Sequence, residues 1–184
     1  MQTSGNVVRG VVRSLLAKHP GAKKVGIITH RCHISEIEQL EPFWMERIAR
    51  RDYFRSGNDR ASNAWLNCDL LLVLGTPRVP PSAVRRALIQ IGKLKDAGID
   101  GKWRSVVWEG HTLDDDLVQV EGLGYAVPAW AEMHHVLVRS LLLQAVGRGR
   151  GVIESGVPVV VVSNEPLGLP FTAGELVPLK DDSG

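Results

Sequence analysis

A three-layer α/β/α fold on a mostly parallel sheet is predicted by three features of the chain. Short apolar runs, VGIIT at 25–29, LLLVL at 70–74 and PVVVV at 158–162, have the length and β-branched content of strands buried on both faces. Amphipathic helical stretches alternate with them, as parallel crossovers require. A glycine-rich stretch at 96–129 breaks the alternation and reads as an inserted hairpin.

Residues 6–18 set Val8, Val11, Val12, Leu15 and Leu16 on one helical face, with Asn6 as cap and Pro20-Gly21 as stop. After the strand at 25–29, residues 34–50 return to helical spacing through Ile34, Ile37, Leu40, Trp44 and Ile48, with a kink or restart at Pro42. Tyr53 to Arg55 is expected as a short strand, and Thr76-Pro77 ends the run at 70–74. Residues 82–95 form a helix with Val84, Leu88, Ile91 and Leu94 on one stripe and Arg85, Arg86, Lys93 and Lys95 off it. Within the insertion, 105–108 and 117–120 are its two strands. A helix over 130–146 follows, then the last strand. The expected organisation is an N-terminal helix (1–22), one domain (23–170) carrying the insertion, and a frayed tail (171–184). Ligands are expected at the carboxyl ends of the strands.

Composition narrows the class. At 184 residues, with 44% hydrophobic and 23% charged side chains and a net charge of +2, the chain has enough apolar material for one full core. That small excess of cations does not imply a general nucleic-acid coat, so local clusters must carry any such role. Cys32 and Cys68 form no CxxC pair, which excludes a disulfide framework or thiol-rich zinc site and makes a reducing cytoplasm the expected compartment. No N-terminal run has signal-peptide form, and nothing approaches a membrane span.

The segment QAVGRGR, Gln144 to Arg150, closes an apolar helical stretch with two arginines and two glycines. Guanidinium forks donate bidentately to phosphate oxygens, and glycine lets backbone approach an anion closely. A second segment, YFRSGNDRASNAWLNCDLLLVLGTP at 53–77, runs through a polar loop holding Gly57, Asn58, Asp59, Arg60, Ser62 and Asn63 into a buried strand. Small and amide-bearing residues there suit close contact with phosphate or sugar.

These two segments, together with the strand and THRCH at 25–33, resemble motifs VI, V and IV of the second RecA-like domain of superfamily 2 helicases. Within that superfamily the pattern is similar to the iron–sulfur and bacterial damage-response DNA helicases. The likeness covers roughly residues 20–165. One position departs: motif VI is usually QxxGRxxR, and here Gly151 stands in the last place, with Arg150 one residue early. The resemblance implies a RecA-like domain whose Arg148, supported by Arg150, acts as an arginine finger on ATP, with Gln144 positioning phosphate or water. It implies nucleotide contacts from Gly57, Asn58, Arg60 and Gly147, and nucleic-acid contacts from Thr29, His30, Ser62, Asn63 and Thr76. ATP and Mg would be held mainly by a partner N-terminal RecA-like ATPase domain, and the strand bound would be single-stranded nucleic acid, DNA above RNA.

No GxxxxGK[ST] phosphate loop is present, since Gly92-Lys93 precedes Leu94 and Gly101-Lys102 precedes Trp103. No DExx sequence follows a predicted strand. The chain is therefore expected not to hydrolyse ATP alone. The alternatives are a stand-alone, non-catalytic module binding nucleic acid or protein, and an unrelated magnesium enzyme using Asp114 to Asp116 with Glu109. Other clusters have simpler readings. His30, Cys32 and His33 lack a fourth ligand and read as loop polarity, so no metal is assigned. His134 and His135 diverge by about 100° on a helix and cannot share an ion. Arg47, Arg50, Arg51, Arg55 and Arg60 are diluted by Glu46, Asp52 and Asp59 and read as a salt-bridged helix face. Trp103 and Trp108 are expected to pack in the hairpin.

Overall fold

In the computed structural model, which describes residues 4–56, 65, 67–98, 101–111, 117–149, 156–165, 167 and 169, the strand β1 (Val25–Thr29) lies at the centre of a parallel sheet. It pairs with β2 (Ile48–Tyr53) on one side and β3 (Leu70–Leu74) on the other, and β3 pairs with β6 (Val159–Val162). All three pairings are parallel, and helices flank the sheet. The chain is a mixed α/β protein of the three-layer α/β/α kind, as its apolar runs predict.

One face of the sheet is covered by α1 (Ser4–Lys18) and α2 (Arg31–Ile37). Val12 and Leu16 from α1 and Ile37 from α2 are fully buried against Val25, Ile27, Leu70 and Leu72. Each such side chain removed from water contributes about 1.5–3 kcal/mol. Arg47 closes α1: its guanidinium donates to the carbonyl oxygens of Leu16 (3.0 Å), His19 (2.6 Å) and Ala22 (2.8 and 3.0 Å). It thereby serves the orphan acceptors of a helix C-terminus.

The second face follows from a bulge. Val25 is level with Ile48, but Gly26 is level with Arg50, so Ala49 is an extra residue in β2. Side chains alternate strictly along a strand, and one extra residue reverses which of them face each side. Ile48 therefore joins the first core, whereas Arg50 and Asp52 turn to the other face beside Gly26 and Ile28. Trp65, 1% exposed, packs there over Gly26.

The structure replaces the helix expected over 34–50 with α2, the single turn α3 (Pro42–Met45), and β2. Pro42 sits at the first position of α3, where its missing N–H costs nothing, and it prevents α2 from running through. Pairing with β1 then draws 48–53 into the sheet, so Arg50 and Arg51 lie on a strand, Phe54 and Arg55 in a turn, and no strand spans 53–55. The helix expected over 82–95 stops at α4 (Pro81–Gln90), with the short α5 (Leu94–Ala97) beyond it. Gly92, at φ +80°, provides the left-handed residue of a Schellman end: Lys93 N–H bonds to Leu88 O (2.9 Å) and Gly92 N–H to Ile89 O (3.0 Å). Ile91 and Leu94, assigned to the buried stripe, are consequently exposed.

The hairpin is longer than expected: β4 (Trp103–His111) pairs antiparallel with β5 (Leu117–Tyr125). α6 (Pro128–Gly147) follows. The chain forms two compact units. One comprises Met1–Gly75, Gln144–Val162 and Val177–Gly184, the other Thr76–Leu143 and Ser163–Leu176. The second has its own core of Val79, Val84, Leu88, Ala97, Tyr125 and Trp130. Among the described residues, no helix is long and apolar enough to cross a membrane.

A Cβ on Gly26 would lie 2.8 Å from two ring carbons of Trp65 and 3.2 Å from Cys68 Sγ, whereas one on Gly21 meets nothing within 4 Å. Gly26→Ala is expected to lower unfolding stability by about 1–3 kcal/mol in urea melts, with Gly21→Ala close to neutral. Equal stability of the two variants would show that the Trp65 contact does not constrain the sheet.

Candidate functional site

In the first unit, the motif at 144–150 and the stems of the loop at 57–64 meet on the second face of the sheet. The side chain of Arg148 is only 8% exposed, and its Nη1 lies 3.5 Å from Oδ2 of Asp52, itself 5% exposed. The same guanidinium lies 5.6 Å from the Trp65 ring centroid, and that of Arg50 lies 4.9 Å from it. Asp52 precedes the loop and Trp65 follows it, so one arginine is held by residues that bracket the loop. Asp52 also accepts a hydrogen bond from Tyr53 N–H (2.8 Å) through Oδ1.

This placement changes the role read for Arg148. An arginine finger needs a guanidinium that reaches across a cleft, and this one is buried and engaged with a carboxylate and an indole. Removing it from Asp52 would leave a buried anion uncompensated. Gln144 and Gly147 are exposed at the end of α6, and a Cβ at Gly147 would meet nothing within 4 Å. Gly149 differs: its Cβ would come within 2.7 Å of Val159 and 3.2 Å of the Val157 carbonyl oxygen, so this glycine serves chain packing. Gly57, Asn58, Arg60, Ser62, Asn63 and Arg150, like Asp114 to Asp116, lie outside the described residues.

At the carboxyl end of β1, Thr29 is 1% exposed and donates its hydroxyl to the Leu74 carbonyl (3.0 Å), so it is spent within the sheet and cannot reach a nucleic-acid backbone. The His30 ring lies over Gly75, where φ is +98° and a Cβ would stand 2.8 Å from the imidazole. His30 also packs edge-on to Phe54 and His33, at 5.2 and 5.9 Å between centroids. Nδ1 of His33 is 3.0 Å from Glu36 Oε2. Of the residues assigned to this end, His30 sits among aromatic rings and Thr29 does not contribute.

In the second unit, Thr76 is buried and its hydroxyl is shared with Ser163 (3.0 Å), the Asn164 side-chain oxygen and Asn164 N–H (3.1 Å). This hydroxyl knot explains the burial of a polar residue and removes Thr76 from nucleic-acid contact. Trp103 stacks on Tyr125 at 4.6 Å, and His134 stands edge-on to both rings. Trp103 thus packs at the hairpin base, where the sequence places it. His134 is fully buried with neither ring nitrogen hydrogen-bonded among the described residues, while His135 Nδ1 lies 2.9 Å from Glu165 Oε1. Glu109 accepts a hydrogen bond from Gln119 (2.9 Å). Among the described residues, no three His, Cys, Asp or Glu side chains converge as metal ligands.

The chain matches no protein-family profile, no curated protein and no solved structure. Function must therefore be read from the geometry and the motifs. Sequence reasoning missed Asp52 and Trp65. Their signal was present in a tryptophan within a polar loop and an acid among arginines, but the bulge that joins them is a product of strand pairing.

Replacing one member of a buried ion pair strands the other. Asp52→Asn is expected to cost about 3 kcal/mol in chemical denaturation, and Asp52→Leu combined with Arg148→Met to recover most of that loss. Additive losses in the double variant would show that the two side chains do not interact.

Burial pushes the His134 imidazole below its ordinary value of 6.5, outweighing the opposing pull of Glu165; Arg78 and His135 add to the depression. The unfolded chain therefore takes up this proton first, and the stability present above about pH 6.5 is lost as pH falls. Thermal melts from about pH 8 to pH 5 should show a falling midpoint that His134→Leu flattens. An unaltered slope in that variant would assign the pH dependence elsewhere.

Proposed function

We propose that the chain is the second RecA-like domain of a superfamily 2 DNA helicase or helicase-like ATPase, contributing to a nucleotide site whose phosphate loop lies on another domain. The observation that supports this reading is the meeting of Arg148 with Asp52 and Trp65. It joins the motif at 144–150 to both stems of the loop at 57–64, the two segments on which the resemblance chiefly rests.

On this reading Arg148 is a positioning residue: held by Asp52, it fixes the end of α6 relative to the loop. Direct contact with a transferring phosphoryl group then falls to Arg150 in the same motif, where a guanidinium stabilises charge developed in the transition state. Gln144, exposed in the last turn of α6, is the described side chain whose amide suits a phosphate, whereas the backbone at Gly147 stands at a helix C-terminus, which presents carbonyl oxygens. Bound ATP would supply the phosphoryl chemistry. On this reading magnesium would be held by the other domain, as the resemblance implies.

The burial of Arg148 also favours a second reading, a stand-alone non-catalytic RecA-like module that binds nucleic acid or a protein partner. A fluorescent ATP analogue separates the two: a half-site changes the probe's emission in the presence of single-stranded DNA, and a non-catalytic module leaves it unchanged.

In a phosphate-release assay the isolated chain should show no turnover above buffer, with or without single-stranded DNA. Measurable ATP hydrolysis by these residues alone would overturn the half-site assignment. Gly147→Ala should fold as stably as the parent or slightly more so, because alanine is the better helix former and its Cβ enters open space. A clear loss of stability would give that glycine a packing role.

A further inference from the structure

The second unit carries an open cleft of about 650 Å³ along α4. Arg85, Arg86 and Ser82 line it together with Pro81 and the exposed Ile89, and the buried Trp130 also borders it. Arg85 and Arg86 are exposed, and neither makes an ion pair or hydrogen bond among the described residues. From residue 81 to 98 the only acid is Asp96, against Arg85, Arg86, Lys93 and Lys95. Lys93 has an exposed partner in Glu132 at 3.6 Å, while Lys95, like the two arginines, makes no ion pair among the described residues. Beside them Ile89 is 46% exposed.

We infer that this cleft is a docking groove for single-stranded nucleic acid, with Arg85 and Arg86 on phosphates and bases lying against the exposed isoleucine surface. The inference rests on the nucleic-acid-binding part of the proposed function and adds a site outside the motifs that suggested it. Three physical arguments select this occupant. Small-molecule sites enclose most of their ligand, whereas a polymer needs a groove open along its length. Adjacent arginines on a helix diverge and so reach different anions, which suits the repeated phosphates of one strand better than a single carboxylate. The backbone of α4 is consumed by its own helical bonds, so an acidic peptide would find no main-chain partner along that wall, while the repeated phosphates of a nucleic-acid strand need only side-chain cations.

The test is fluorescence anisotropy of a labelled single-stranded oligonucleotide across a salt series, comparing the parent chain with Arg85→Gln/Arg86→Gln. Glutamine keeps helix propensity and both positions are exposed, so circular dichroism and melting midpoint should be unchanged. The expected result is about a tenfold weaker affinity at low salt and a slope of log affinity on log salt shallower by about 1.4, the loss of two phosphate contacts. Equal affinity and slope in parent and variant would overturn the groove while leaving nucleic-acid binding elsewhere intact. Absence of binding by the parent chain would overturn the groove together with the nucleic-acid reading. A polyglutamate peptide that displaces the oligonucleotide at comparable concentration, and loses affinity with the same substitutions, would overturn the choice of occupant in favour of an acidic protein partner.

Discussion

The extra residue at Ala49 governs what the second face of the sheet contains. Without it, strict alternation from Ile48 would turn Arg50 and Asp52 towards the apolar cluster under α1 and α2, the face on which Arg51 already takes up Glu38. With it, the same strand gives one aliphatic side chain to the first core and an Arg and an Asp to the opposite face. The position of Arg148, the packing of Trp65 over Gly26 and the tethering of both stems of the loop at 57–64 depend on that one-residue change of phase.

The cations of this chain divide by what they face. Arg47 donates to three carbonyl oxygens at the end of α1 and is a structural cap. Asp69 does the reciprocal work nearby: backbone N–H groups of Lys24 and Lys23, each at 2.9 Å, hold its carboxyl below the usual range. Arg148 is committed to Asp52, and Arg50 to the Trp65 face. Arg85 and Arg86 have no such obligations among the described residues, so a pair of exposed guanidinium groups sits on a helix that the motifs did not single out. An arginine-rich motif can thus be structural at one position while plainer sequence presents the free guanidinium groups.

The polar groups at strand ends follow the same logic. Thr29 and Thr76 stand where ligand-binding residues of parallel sheets are commonly found, yet both are buried and bonded within the protein. A hydroxyl beside an unpaired carbonyl is drawn inward because an orphaned buried acceptor costs more than the hydroxyl gains from water. At His30, Gly75, lacking a Cβ, leaves room for the imidazole beside Phe54 and His33.

Local chemistry carried much of the architecture. The apolar runs at 25–29 and 70–74 form strands buried along their whole length, the run at 159–162 forms a half-buried one, and α1 and α6 announced themselves by spacing. Where prediction failed, a non-local term outweighed a local pattern: pairing with β1 took 48–53 from a helix into the sheet, and the left-handed turn at Gly92 ended α4 before its periodicity did. Of the candidate site, the sequence alone determined which segments hold arginine, glycine and amide groups at anion-binding spacing. Only the tertiary structure decided which of those groups are consumed internally, because the partners of Arg148, Thr29 and Thr76 lie tens of residues away and meet them through strand register and burial.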